Sequence, residues 1–156
     1  MKVIQTVVFI IKNDQVLLGL KKQGFGMGKW NGFGGKLNPG ETLEECARRE
    51  IREEAMIELE DLEKFAISEF HFEGSEKFYE VHHYVAYSFK GEPKETDEMK
   101  PAWFSIHGMP YKDMWPDLEY WWESHFLKGK KFKNHFNYAA SGEVIGHTTE
   151  EVQDLA

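Results

Sequence analysis

Apolar positions along this chain fall into two periods, and the two-residue period of strands dominates. Residues 3–12 and 15–22 are rich in Val, Ile and Leu and are separated by Asn13-Asp14, which predicts a hairpin. Residues 62–73 and 77–90 predict two more strands around the turn Glu73-Gly74-Ser75. Residues 101–106 (PAWFSI) predict a short one, and residues 130–139 and 143–147 a closing hairpin through Ser141-Gly142. The helical period is found twice. Over residues 42–55, Leu43, Cys46, Ala47 and Ile51 form one apolar stripe. Thr42 stands as N-cap with Glu45 three residues on, the spacing of a capping box. Residues 115–127 predict a second helix with Pro116 near its first turn. Residues 24–40 hold seven glycines and predict a long loop, and residues 91–100 are polar, turn-rich and exposed. Strands before, between and after two helices predict an α+β fold with a mixed sheet. No repeat or linker divides the chain, so residues 1–156 are expected to form one domain.

The first helix carries glutamates where a folding pattern alone would not place them. At about 100° per residue, Glu50, Glu53 and Glu54 span roughly 100° of arc and overlap the apolar stripe. Glu45, Arg48, Arg49 and Arg52 lie on the opposite, solvent side. Like charges a few ångströms apart repel by roughly 4 kcal/mol per pair at an effective dielectric near 20. Burial adds to that cost unless protons or cations neutralise the cluster. The natural neutraliser is a hard divalent cation with oxygen ligands, Mg²⁺ above all, with Mn²⁺ as a substitute. The loop before the helix contains GxG twice, yet its glycines do not open a helix directly after a strand and no βαβ repeat follows, so it is not a dinucleotide fingerprint. Lys21 ends the second strand and is placed to hold a phosphate as a point charge, as is Lys36 in the loop.

Composition narrows the classes. A formal net charge of −8 excludes binding of a nucleic-acid polymer through a basic face. Aromatic residues make up 15% of the chain, enough for both core and flat-ligand stacking surfaces. The lone Cys46 rules out an internal disulfide and, on the apolar stripe, is expected to be a small buried hydrophobe. The apolar run at the start is too short to span a membrane. The expectation is a soluble, cytoplasmic monomer with no membrane or nucleic-acid partner. The histidines show no HxxxH or HExxH spacing, and adjacent His82 and His83 face opposite sides of a strand, so no histidine metal site is expected.

Gly35, Glu41, Arg49-Glu50-Ile51, Glu53-Glu54 and Ile57, at their spacings, resemble the Nudix box, with Met56 where that family has glycine. The resemblance implies an α/β/α sandwich with the box helix packed on the sheet. It also implies a metal shell of Glu50, Glu53, Glu54, the Gly34 carbonyl and Glu98, with Arg49 orienting a neighbouring glutamate. Either Glu54 or Glu98 would be the base. Residues 19–36, 97–104 and 111–121 are further similar to the animal branch of the family that hydrolyses oxidised purine nucleoside triphosphates, such as 8-oxo-dGTP, to monophosphate and pyrophosphate. That similarity implies a purine over Trp115, walls from Phe70 and Phe72, and a base site lined by Thr6, Phe25 and Asn31. Phe33, Gly34, Gly35, Lys21, Lys36, Pro116, Asp117 and Leu118 complete the expected substrate set. Leu118 stands where that branch has a second aspartate. Two other readings would use the same helix: hydrolysis of another nucleoside diphosphate-linked substrate, and nucleotide binding without catalysis.

Overall fold

The computed structural model describes residues 1–155. The chain runs β1 (Lys2–Lys12), β2 (Gln15–Lys21), β3 (Trp30–Asn31), β4 (Phe33–Lys36), α1 (Leu43–Ala55), β5 (Glu58–Leu59), β6 (Glu63–Phe72), β7 (Phe78–Ala86), β8 (Phe89–Lys90) and β9 (Met99–Ser105). A 3₁₀ turn at Tyr111–Asp113 leads to α2 (Leu118–Trp121), a π-helical turn at Trp122–Phe126, β10 (Lys131–Tyr138) and β11 (Val144–Val152). Nine strands form one mixed sheet in the order β11-β10-β6-β7-β1-β2-β3, with β4 added to β1 and β9 to β2. β1 runs parallel to β7 and β10 parallel to β6. The β1–β2 hairpin turns through Asn13 (φ 52°) and Asp14 (φ 62°), the positive-φ pair of a type I′ turn. β1 changes partner along its length: Gln5–Val8 pair with β4, whereas Ile10–Lys12 pair with β2. The sheet therefore forks beside α1, and the functional cleft lies along that fork.

Each face of the sheet has its own core. On one, Ala47, Ile51 and Ala55 of α1 pack against Val8, Ile10, Leu17, Phe33 and Tyr84. On the other, α2 and the π turn bury Trp121 and Trp122 against Phe9, Phe65 and Phe132. Fully burying one such side chain is worth about 1.5–3 kcal/mol, so both faces contribute to holding the fork open. This is the expected α+β fold with helical layers on both sides of a mixed sheet.

The capping box at Thr42 and Glu45 is present. At the other end of α1, Met56 is the C-cap in the left-handed region, φ 61° and ψ 35°, with its side chain 55% exposed. The departure from glycine thus leaves the helix exit intact but places a side chain in a backbone region that costs it energy.

Several expected boundaries are corrected. The glycine-rich loop is interrupted by β3 and β4, too short and too glycine-rich to show a strand period. The expected second helix at residues 115–127 is reduced to α2 plus a wider turn, because Trp121 (φ −137°) interrupts the helical backbone where two consecutive tryptophans are buried. The strand expected over residues 77–90 ends at Ala86, and Phe89–Lys90 pair with β5 in a separate ribbon. The polar stretch 91–100 is not exposed throughout: Met99 is buried and begins β9.

Candidate active site

The acidic end of the cleft is built where β4 presses on β1 and α1. A Cβ on Gly34 would lie 1.7 Å from the Thr6 carbonyl oxygen, and one on Gly35 would lie 2.6 Å from the Glu50 carboxylate. Only glycine permits that approach. It lets the Gly34 N–H donate to Glu54 Oε1 at 2.9 Å. The turn before β9 is tied to the end of α1 by Thr96, whose hydroxyl donates to the Glu54 carbonyl at 3.0 Å. The same hydroxyl oxygen accepts from the Glu98 and Met99 amides, each at 3.3 Å. That knot brings Glu98 to the helix, so that Glu50, Glu54 and Glu98 offer oxygens within 4.8 Å of one another.

Arg49 braces the cluster from the side. Its Nε and Nη2 form a fork on Glu41 at 2.6 and 3.0 Å, and Nη1 donates to Glu50 Oε1 at 2.8 Å. Nη2 also reaches the Lys36 carbonyl at 3.1 Å. The helical wheel placed Arg49 in solvent; its long side chain instead bends back to the loop. Glu41 is held down at about 2 by its bond to Arg49. Glu54, by contrast, is pushed up to about 8, first by burial and then by Glu50. Burial also raises Glu50, against the pull of Arg49. Three carboxylates converge on one guanidinium, one backbone donor and the more distant Lys21 ammonium, and this oxygen set fits a hard divalent cation.

The other end of the cleft is aromatic. The whole is an open volume of about 950 Å³, lined by both Glu54 and Asp117 and by Lys21, Asn31, Phe72 and Trp115 among others. Phe25 lies 5.2 Å from Trp115 and 5.7 Å from Phe72, ring centre to ring centre, while Lys29 Nζ sits 5.0 Å over the Trp115 ring. Asp117 is buried and its oxygens are assigned: Trp121 Nε1 donates to Oδ2 at 2.9 Å and the Tyr138 hydroxyl to Oδ1 at 2.8 Å. Burial raises its carboxyl to about 6, against the pull of these two donors. Each oxygen keeps a lone pair for a ligand. The Asn31 carbonyl accepts from the Gly32 N–H at 2.8 Å, which leaves the amide N–H₂ free to donate.

The cleft therefore gathers Glu54, Lys21, Phe25, Asn31, Gly34, Gly35, Phe70, Phe72, Trp115, Asp117 and Leu118 from the expected set. Others lie elsewhere. Glu53 is outside the cluster, half exposed and 3.4 Å from Arg49; Glu98 takes the third place in it. Phe33 is fully buried in the α1-side core, because alternation along β4 turns it away from the cleft. Thr6 reaches the wall, but its hydroxyl meets Cys46 Sγ at 3.4 Å on the helix side. Lys36 is exposed and contributes its carbonyl to Arg49. Pro116 lines a neighbouring depression with Tyr111 and Glu119. Cys46 is buried, as expected.

Tyr138, Tyr79, Lys29 and Glu41 were not expected at the site. The alternating burial of β10, which puts Phe132, Asn134, Phe136 and Tyr138 on one face, was the available signal for Tyr138. One further arrangement departs from expectation: Glu69 and His71 of β6 meet His135 of the neighbouring strand β10, although no linear spacing links the two histidines.

Comparison with known proteins agrees with this geometry. A protein of Danio rerio named oxidized purine nucleoside triphosphate hydrolase is 42% identical over 150 residues, covering 96% of each chain. Its namesake from Mus musculus is 40% identical over the same length and coverage. The crystal structure of a mutator MutT protein from Bacillus halodurans superposes with a TM-score of 0.84 at 24% identity, covering 95% of this chain and 97% of that one, a likeness of fold. The family model of the NUDIX domain matches residues 1–125, and with the carboxylate helix in place this chain belongs to the NUDIX family.

Proposed function

We propose that the protein hydrolyses oxidised purine nucleoside triphosphates, such as 8-oxo-dGTP, to the monophosphate and pyrophosphate. The observation that carries this reading is a single cleft lined at one end by Glu54 of the carboxylate cluster and at the other by Trp115 and the fixed carboxylate of Asp117. The aromatic walls stack a flat base, worth about 1–3 kcal/mol without choosing among bases. Choice comes from the edge. An ionised Asp117 accepts from the N1–H and exocyclic N–H₂ of a guanine, and the free Asn31 amide donates to a carbonyl. Tyr138 and Trp121 hold Asp117 in place for that contact.

Glu50, Glu54 and Glu98 would hold Mg²⁺, with the Gly34 carbonyl and Glu53 at the edge of the shell. Such an ion supplies neutralisation of phosphate charge and acidification of the attacking water. The chain's own groups do the rest. Lys21, on the cleft wall near Glu54, meets the phosphates as a point charge. Arg49 orients Glu50 through the 2.8 Å bond, while its fork on Glu41 keeps the guanidinium from swinging away. Water attacks the α-phosphorus, the bond from that phosphorus to the bridging oxygen breaks, and pyrophosphate leaves. The proton of the water goes to a carboxylate of the cluster, and Glu54 is the one of the three that lines the cleft. Glu98 is the alternative acceptor.

Leu118 is buried against the aromatic core beside Asp117, so one carboxylate reads the edge where a second aspartate would give two. Activity on 8-oxo-dGTP should therefore exceed that on 2-oxo-dATP, and Leu118→Asp should narrow the gap. The test is kcat/KM over a panel of normal and modified nucleotides, read as phosphate after coupled pyrophosphatase. Equal activity on the two oxidised purines would remove Leu118 from specificity. Tight binding of all nucleotides without turnover would replace the enzyme by a binding module.

A further inference from the structure

The sheet carries a second set of ligand-type side chains on the face opposite Phe70, Phe72 and Tyr138. Glu69 and His71 are two residues apart on β6 and so project from one face. His135 of β10 is the register partner of Glu69. The three offer ligand atoms within 4.8 Å of one another. Glu69 bridges the two rings, with Oε1 3.0 Å from His71 Nε2 and Oε2 3.5 Å from His135 Nδ1.

Further contacts frame this group. The His71 ring is stacked between Phe78 and His135, with both ring centres 4.7 Å away, which fixes its orientation. His135 Nε2 meets Asn137 Oδ1 at 3.3 Å. A proton on that nitrogen leaves the Nδ1 lone pair facing Glu69, the way ligating imidazoles are oriented by an outer partner. Glu69 stands opposite Glu80 across β6 and β7, and the Glu80 carboxylate is answered by Lys2 Nζ at 3.7 Å and His82 Nε2 at 3.5 Å, which leaves Glu69 to the two histidines. The site is partly open to solvent, with the Glu69 and His71 side chains 43% and 36% exposed.

We propose that Glu69, His71 and His135 form a site for a borderline-soft divalent ion, zinc first and copper(II) more tightly, completed by water. Two imidazoles and one carboxylate suit such ions, whereas the all-oxygen cluster at Glu54 suits Mg²⁺. The ion would clamp β10 to β6 directly behind the strand faces that wall the cleft. The proposal stands independently of the substrate assigned to that cleft.

The test is a zinc titration of the full chain in saturating Mg²⁺ against a chromogenic zinc indicator. The variants are His71→Asn, His135→Asn, Glu69→Gln and, as control, Glu54→Gln. One equivalent should bind the unsubstituted protein, with affinity reduced about tenfold or more in each of the first three variants and unchanged in the control. The Mg²⁺-dependent turnover of the first three should match the unsubstituted protein, which also verifies their folding. Zinc should raise its melting temperature but not theirs. The copper(II)-loaded protein should show electron-paramagnetic splitting from two imidazole nitrogens. Zinc affinity that survives both histidine substitutions, affinity lost only in Glu54→Gln, or an oxygen-only copper spectrum would each overturn the site.

Discussion

Glu54 and Asp117 are two buried acids in one cleft, both shifted upward by burial, and they are held in opposite ways. Glu54 receives a single backbone donor from Gly34 and faces the like charges of Glu50 and Glu98. Asp117 receives an indole N–H and a phenol O–H. The result is a carboxyl at about 8 at one end and at about 6 at the other. An acid left short of partners calls for a cation; an acid supplied with neutral donors becomes a rigid acceptor. The same residue chemistry thus serves charge transfer at one end and recognition at the other, and the difference lies in what surrounds each group.

Exchanging either acid for its amide tests the contrast most sharply. Glu54→Gln should lower turnover by about 10³-fold while nucleotide affinity, measured calorimetrically, stays near that of the unsubstituted protein. Near-normal turnover would take Glu54 out of the chemistry. Asp117→Asn places an N–H₂ donor where the purine edge also donates, so kcat/KM for 8-oxo-dGTP should fall about 10²-fold, as expected when a buried site loses its polar match. A uniform loss across all nucleotides would show that Asp117 supports the fold instead of reading the base.

A third expectation concerns pH. The folded value of Glu54 lies above its ordinary 4.5, so its contribution to stability is full below about 4.5 and is lost as pH rises towards 8. Metal-free protein should lose a few kcal/mol, on the order of what such a shift carries, between pH 5 and 8. Saturating Mg²⁺ should restore the loss, and Glu54→Gln should flatten the profile. A profile just as steep in that variant would assign the effect to other groups. The smallest effect is expected away from both acids: Met56→Gly should raise stability by about 1 kcal/mol in urea unfolding, by relieving the left-handed cap. No change would mean that the cap is unstrained.

The acidic end was largely legible in the chain because it is local. Glu50 and Glu54 are one helical turn apart, the capping box announces the start of α1, and the resemblance of the box carries Gly34 with it, while Glu98 comes from the separate similarity of residues 97–104. Glu53 sits outside the tight group because spacing along a helix gives an arc, whereas the edge of the sheet decides which part of that arc is covered. Phe33 misled for the related reason that a four-residue strand shows too little alternation to reveal its inward face. Tyr138 was invisible as a partner of Asp117 since 21 residues separate them. The histidines show the limit most clearly: His71 and His135 share no linear spacing and meet only through the parallel register of β6 and β10.

By itself the sequence determined the strands and the first helix, the convergence of acids on one side of that helix, and the family's chemistry. These follow from short-range periodicity and from residue types whose charge must be answered. Tertiary structure decided which three carboxylates converge, that Arg49 turns inward to Glu41 and Glu50, and that Asp117 is fixed by Trp121 and Tyr138. Those outcomes depend on strand register and on how the sheet forks at β1, which bring distant residues within bonding distance and exclude water unevenly between the two ends of the cleft.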